Sequence, residues 1–358
     1  MDFGLMFFSA AQEGRRDADG SRYRLLLEAA RFADRRGFLC VWTPERHFHP
    51  FGGLYPDPAV TSAALATATE RLELRAGSLV SPLHDAIRIA ESWSMVDNLS
   101  GGRAAISFGS GWNVDDFVFF PDHYPRRREL MYEQIETVRT LWRGGTVARS
   151  NTYGHEVEIR LFPRPVQAEL PVWVTSSGDP ETFERAGAIG ANLLTHLIGQ
   201  DLETLAAKID RYRGARAEGG HDAAAGKVSL MLHTFLGRNV EKVRARVREP
   251  FRAYLRSAVS LEQMAALGGG VVSGGKKIDP HDIPAELMEE LLEMTFERYS
   301  RTASLLGTVA GCRELVLQLE EIGVDEIACL IDFGVARSKV LESLEALRDL
   351  KDRFDAGR

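Results

Sequence analysis

The chain has 358 residues, 44% of them hydrophobic and 27% charged, with a formal net charge of −7 at pH 7. That is ordinary globular composition with enough apolar residues for one large core, and a single barrel with insertions fits the length. The negative balance, with no run of Lys and Arg, argues against a nucleic-acid surface, and no apolar stretch is long enough to span a bilayer.

In chain order, residues 3–8 read as a first buried strand and 9–20 as a polar loop, whose Gln12, Glu13, Arg15 and Arg16 exclude a signal-peptide pattern. Residues 23–36 have helical spacing and stop at Gly37, a C-terminal signal. Phe38-Leu39-Cys40-Val41-Trp42 is then an apolar run that ends abruptly in Thr43-Pro44-Glu45-Arg46-His47-Phe48-His49. This predicts a strand buried on both faces, with polar groups massed at its carboxyl end, where parallel α/β folds place their chemistry.

Pro56-Asp57-Pro58 starts an Ala-rich helix to residue 69; 72–80 is strand three, 85–99 helix three, 104–108 strand four and 126–143 helix four. Residues 144–165, rich in Gly, Asn and Pro, predict a hairpin or long loop. Strands five to eight fall at 171–175, 191–197, 228–235 and 324–331, with helices at 180–187, 202–217, 240–259, 312–322 and 335–354. Gly268 to Gly275 breaks the rhythm as an insertion, with a further helix at 285–299.

Eight strands alternating with helices favour a (β/α)8 TIM barrel, in one domain over residues 1–358, above an open doubly wound sheet. Phe8-Ser9-Ala10-Ala11-Gln12 also lacks the Gly-rich fingerprint of a Rossmann strand. Cys40, Cys312 and Cys329 are widely spaced and read as buried thiols of a cytoplasmic protein rather than a disulfide or metal framework.

Three clusters carry candidate chemistry. Glu45, Arg46, His47 and His49 share one loop, to be weighed against a solvated ion pair. As a His-x-His pair, His47 and His49 would suit a metal, with His196 and Asp332 near other strand ends, but strand five ends in Thr175-Ser176-Ser177, which adds no usual ligand. Ser176-Ser177-Gly178-Asp179 at a helix start offers N–H and hydroxyl donors to an anion, or simply caps the helix, and one cation of Arg126-Arg127-Arg128 would reach the same mouth. Gly109-Ser110-Gly111-Trp112 offers a close backbone approach and a ring to stack on, or a Gly-rich turn with a core Trp; Gly77-Ser78 inside strand three is a bulge or a close approach to a ligand.

Together these residues resemble the bacterial luciferase-like flavin monooxygenases, nearly end to end. The resemblance is carried by Glu45-Arg46-His47-Phe48, by Ser81-Pro82-Leu83-His84, by Val96-Asp97-Asn98-Leu99-Ser100-Gly101-Gly102-Arg103 and by Val324-Asp325-Glu326-Ile327. More narrowly, Trp42 to Phe48, Val174-Thr175-Ser176-Ser177-Gly178 and Ala328 to Gly334 resemble a subgroup found in natural-product gene clusters, with polyketide and nonribosomal-peptide synthases.

The resemblance implies a TIM barrel for reduced FMN, with an insertion after strand seven, residues 260–302, whose Gly-rich stretch reads as a lid over the flavin or as a decoration of the barrel. Gly77-Ser78 would lie against the flavin ring, where relatives often have a non-proline cis peptide. Ser176, Ser177 and Gly178 would take the phosphate with Arg128, and Ser110 stands where luciferase itself has a phosphate-binding arginine. Arg46 stands where luciferase has its catalytic histidine, so light emission is not implied.

The expected reaction uses O2 and a C4a-peroxyflavin to oxygenate a secondary-metabolism intermediate, free or tethered to a carrier protein. In it His47 is proton donor or hydrogen-bond partner, Arg46 a fixed positive charge and Glu45 the residue that orients one of the two. A separate flavin reductase and a homodimer are expected. The alternatives are a metal-dependent barrel hydrolase and a non-catalytic flavin-binding barrel.

Overall fold

The computed structural model describes residues 1–8, 21–49, 52–176, 178–258 and 285–355. Apolar runs become short parallel strands, and the amphipathic segments between them become helices laid on the outside. The first half runs β1 (Asp2–Phe7), α1 (Arg24–Arg35), β2 (Cys40–Thr43), α2 (Pro58–Ala66), β3 (Glu73–Val80), α3 (Ala86–Ser100), β4 (Ala104–Gly109) and α4 (Arg127–Trp142). The predicted excursion is an antiparallel hairpin of β5 (Thr146–Ser150) and β6 (Glu156–Arg160). The barrel resumes with β7 (Val172–Thr175), α5 (Pro180–Ala188), β8 (Asn192–His196), α6 (Leu202–Glu218), β9 (Val228–Leu236) and α7 (Val240–Ala258). It closes with α8 (Ala285–Thr302), β10 (Leu305–Gly307), α9 (Val309–Glu321), β11 (Glu326–Asp332) and α10 (Arg337–Asp355).

The pairing order β9-β11-β1-β2-β3-β4-β7-β8, with β8 returning to β9, closes an eight-stranded parallel ring. The fold is therefore the expected (β/α)8 TIM barrel. Its strands β2, β4, β9 and β11 are buried along their whole length, because one face fills the barrel and the other lies under helices. Helix starts follow the sequence signals: Asp57 caps α2, Asp85 caps α3 and Asp179 caps α5, each accepting backbone N–H bonds.

Two features depart from the sequence reading. β10 adds three residues beside β9, too few to register as a pattern. Of the insertion expected at 260–302, residues 260–284 lie outside the described residues, and 285–302 is the long helix α8, docked on α7. Arg244 and Arg248 of α7 reach Glu297 of α8, while Leu292, Phe296 and Tyr299 are buried. All three cysteines are free and buried, as expected.

At the amino end of the barrel, Arg75 sits between the rings of Trp42 and Trp173, 4.7 and 4.2 Å from their centroids. Its guanidinium donates to Glu326 Oε2 at 2.7 Å, and Trp42 Nε1 donates to the other oxygen of Glu326 at 3.0 Å. This paired charge plugs the base. The chemistry-bearing residues collect at the opposite, carboxyl end.

Candidate functional site

The β2 strand ends at Thr43, and the next residues turn over the barrel mouth. Glu45 is buried there because three donors meet it: Val80 N–H at 2.7 Å on Oε2, and the Nε2 atoms of His84 at 2.5 Å and His47 at 2.9 Å, both facing Oε1. Burial pushes this carboxyl upward, but the bonds to His47, His84 and the Val80 amide outweigh it and hold its pKa below the usual carboxylate range. Burial pulls His84 the other way, and the bond and charge of Glu45 carry its pKa above the ordinary histidine value. Glu45 thus orients His47, as the sequence suggested, and His84 as well, a residue the sequence placed only in a family block. Held through Nε2, His47 keeps Nδ1 as its second site for a proton. Its ring packs edge-on to Phe119, centroids 5.0 Å apart.

Arg46 points a buried guanidinium over Trp112, 4.6 Å from the ring centroid. Trp112 is 64% exposed, so it is not a core residue, and one of its faces already belongs to Arg46. Burial lowers the Arg46 pKa, offset only in part by Asp116 and Tyr254. Asp116 is itself raised by burial, and accepts from Asn113 Nδ2 at 2.8 Å.

Gly77-Ser78 is a non-proline cis peptide, as expected, at the point where the β3–β4 register shifts. A Cβ on Gly77 would lie 2.9 Å from the Trp42 ring, so only glycine fits between that ring and the space above.

Across the mouth, Ser110, Arg128, Tyr132, Thr175, Ser176 and Arg185 line a cavity of about 180 Å³. Arg128 Nη1 meets Asp179 Oδ2 at 3.0 Å, whereas Arg126 pairs with Glu133 and Arg127 bonds the carbonyl oxygens of Gly111 and Tyr124. The sequence expectation that one cation of the three reaches this loop holds for Arg128. Asp179 is both the helix cap and the Arg128 partner, so the capping and anion readings coexist. Ser176 is buried beneath Gly178, whose φ of +123° suits glycine alone; Ser177 lies outside the described residues.

Two features, one lining this cavity and one near Gly178, were not foreseen. The Tyr132 hydroxyl is buried with no partner among the described residues, its pKa pushed up to about 12 by burial. Lys208, bonded to Gln200 Oε1 at 2.8 Å, approaches Gly178 to within 3.3 Å of where a Cβ would stand. An unpartnered hydroxyl beside Arg128 and Arg185 in so small a cavity fits a phosphate group. No helix, four residues of spacing or strand period would have flagged Lys208, which reaches in from α6.

His196 and Asp332, weighed as metal ligands, are otherwise engaged: His196 Nδ1 accepts from Ile198 N–H, and Asp332 accepts from the Tyr55 hydroxyl. Burial depresses the His196 pKa to about 4. Among the described residues no group of three or more His, Cys, Asp or Glu is arranged to hold a metal ion, and no helix is long and apolar enough to cross a membrane.

Residues 1–326 match the family model described as "Luciferase-like monooxygenase". The oxygenase component of a flavin-dependent trigonelline monooxygenase from Acinetobacter baylyi is 24% identical over 338 residues, covering 91% of this chain and 88% of that protein. Among solved structures, the oxygenating constituent of 3,6-diketocamphane monooxygenase from Pseudomonas putida, in complex with FMN, superposes with a TM-score of 0.72 at 15% identity, over 98% of this chain and 96% of that one. An F420-dependent secondary alcohol dehydrogenase superposes with a TM-score of 0.66 at 16% identity, over 98% and 97%.

Proposed function

Because the chain belongs to the luciferase-like monooxygenase family, we propose that it binds reduced FMN and uses O2 to place one oxygen atom on an organic substrate. The observation that carries this is the pairing, across one barrel mouth, of a phosphate-sized cavity with an acid-anchored histidine. Ser110, Ser176, Ser177, Gly178, Arg128 and Lys208 would hold the phosphate end, and Gly77-Ser78 would let the flavin ring lie flat on β3. Bound reduced flavin would supply the oxygen-activating chemistry.

The protein's part is then local. Glu45 fixes the orientation of His47, whose Nδ1 would give or take a proton at the reacting oxygen. His84 shares the same carboxylate and would keep it ionised. Arg46 would supply a positive charge which, being buried, is little screened by water. The Glu45–His47–His84 cluster also favours an enzyme over a non-catalytic flavin-binding barrel.

The relative from Acinetobacter is an oxygenase component, which supports a separate reductase as the source of reduced flavin. The subgroup motifs support a substrate from secondary metabolism, free or tethered to a carrier protein. Exposed Val60 on α2 and Met95 and Leu99 on α3 support a homodimer formed through those helices.

A second reading, use of the deazaflavin F420 for hydride transfer, is favoured by the likeness to the secondary alcohol dehydrogenase. Titration of the protein with FMN and with F420, followed by fluorescence, separates the two. Micromolar binding of FMN with F420 bound at least tenfold more weakly is the expected result (about 1.4 kcal/mol); the reverse order would replace the monooxygenase with a dehydrogenase.

A further inference from the structure

Arg46 is only 6% exposed, and its Nε has no hydrogen-bond partner among the described residues. The acid nearest in effect, Asp116, acts on it through space and spends a carboxylate oxygen on Asn113. Trp112 covers one face of the guanidinium and Gly52 backs its stem, where a Cβ would come within 2.9 Å of Arg46 Cγ. A desolvated guanidinium without a bonded anion is strongly disfavoured, and its planar fork of donors matches a carboxylate.

Two residues further along the chain the surface changes character. Phe48 holds a φ of +53°, an uncommon backbone state for a bulky residue, and its ring is 66% exposed. That conformation lays Phe48 against the half-exposed Phe119, centroids 5.3 Å apart, and both rings touch His47. An exposed aromatic shelf around His47, the residue after a buried cation with no carboxylate bonded to it among the described residues, is the outline of a ligand with an apolar body and an acidic end.

We propose that the substrate is an organic carboxylate whose acid group is bound by Arg46 and whose apolar body lies along Phe48 and Phe119, beside His47. The assignment of the ligand as substrate rests on the oxygenase reading above.

Calorimetric titration of the FMN-loaded protein and of the protein without FMN, with 3-phenylpropionate and octanoate and with the primary amide of each, tests this. At least one acid should bind about tenfold or more tightly than its amide, as expected for a desolvated charge pair, and Arg46→Gln should abolish the preference while keeping FMN affinity. The acid–amide comparison in wild type decides the point even if the variant fails to fold. Equal binding of acid and amide, no binding of either, or a preference that survives Arg46→Gln would overturn the proposal. So would tighter, Arg46-dependent binding of 4′-phosphopantetheine, which would make the anion a carrier's phosphate, or loss of FMN binding in Arg46→Gln, which would make it the flavin. Failure of wild type to bind FMN would contradict the cofactor reading alone, since the titration without FMN still decides the carboxylate.

Discussion

Glu45 is the residue on which the site turns, because one buried carboxylate holds two histidines and a backbone amide at once. The linkage has a definite sign. Glu45 is depressed in the folded state, so its contribution to stability is present above the unfolded carboxylate value of about 4.3 and is lost as pH falls through the lower folded value. His84 is raised, so its contribution is full below the unfolded histidine value of about 6.5 and is lost as pH rises through the higher folded value. The stability difference between wild type and Glu45→Gln should therefore be largest near pH 5–6.5 and shrink on both sides. Urea unfolding of both proteins from pH 3 to 9 measures it; a difference that keeps growing above pH 8 would mean that His84 does not draw on Glu45.

At the scale of elements, the loop from β7 into α5 receives side chains from three helices: Asp179 from its own start, Arg128 from the start of α4 and Lys208 from α6. If this is the phosphate end, Arg128→Ala and Lys208→Ala should each weaken FMN by about tenfold (about 1.4 kcal/mol) and leave riboflavin, which lacks the phosphate, unchanged. Equal losses for both flavins in a fluorescence titration would place the phosphate elsewhere. This element also marks where sequence reading stops. Ser176 was legible because it directly follows the end of β7, and Arg128 because it lies in the first turn of α4, both positions marked by local pattern. Lys208 lies mid-helix, one lysine among many surface charges, and only the packing of α6 against α5 brings it near Gly178. His84 was visible as part of a motif but not as a partner of Glu45, since the two meet only when β2 and β3 pair in register.

For the whole molecule, strand order followed from alternation alone: every barrel strand appeared as an apolar run between helical stretches, and boundaries shifted by a residue or two where strand ends frayed into loops. What the pattern did not reveal was the plug. Arg75 and Glu326 lie 251 positions apart and look like ordinary polar residues at strand starts, yet they pair inside the base of the barrel between two tryptophans. The fold thus separates a stability end from a chemical end. Glu326→Ala leaves Arg75 with Glu73 as its carboxylate partner and should cost about 3 kcal/mol of stability while leaving FMN affinity at the mouth unchanged below the transition. Urea unfolding and flavin titration together read this; a parallel loss of flavin affinity would show that the two ends are coupled.

The central claim is that the mouth formed by Glu45, His47, Gly77-Ser78 and the β7–α5 loop manages the reaction of reduced FMN with oxygen. Anaerobic titration with reduced FMN followed by rapid mixing with O2 tests it most directly. The account predicts a tight complex whose reoxidation is slower than that of free FMN and proceeds in two resolved absorbance phases, the second altered in His47→Gln. Absence of binding, or single-phase reoxidation at the rate of free FMN, would contradict it.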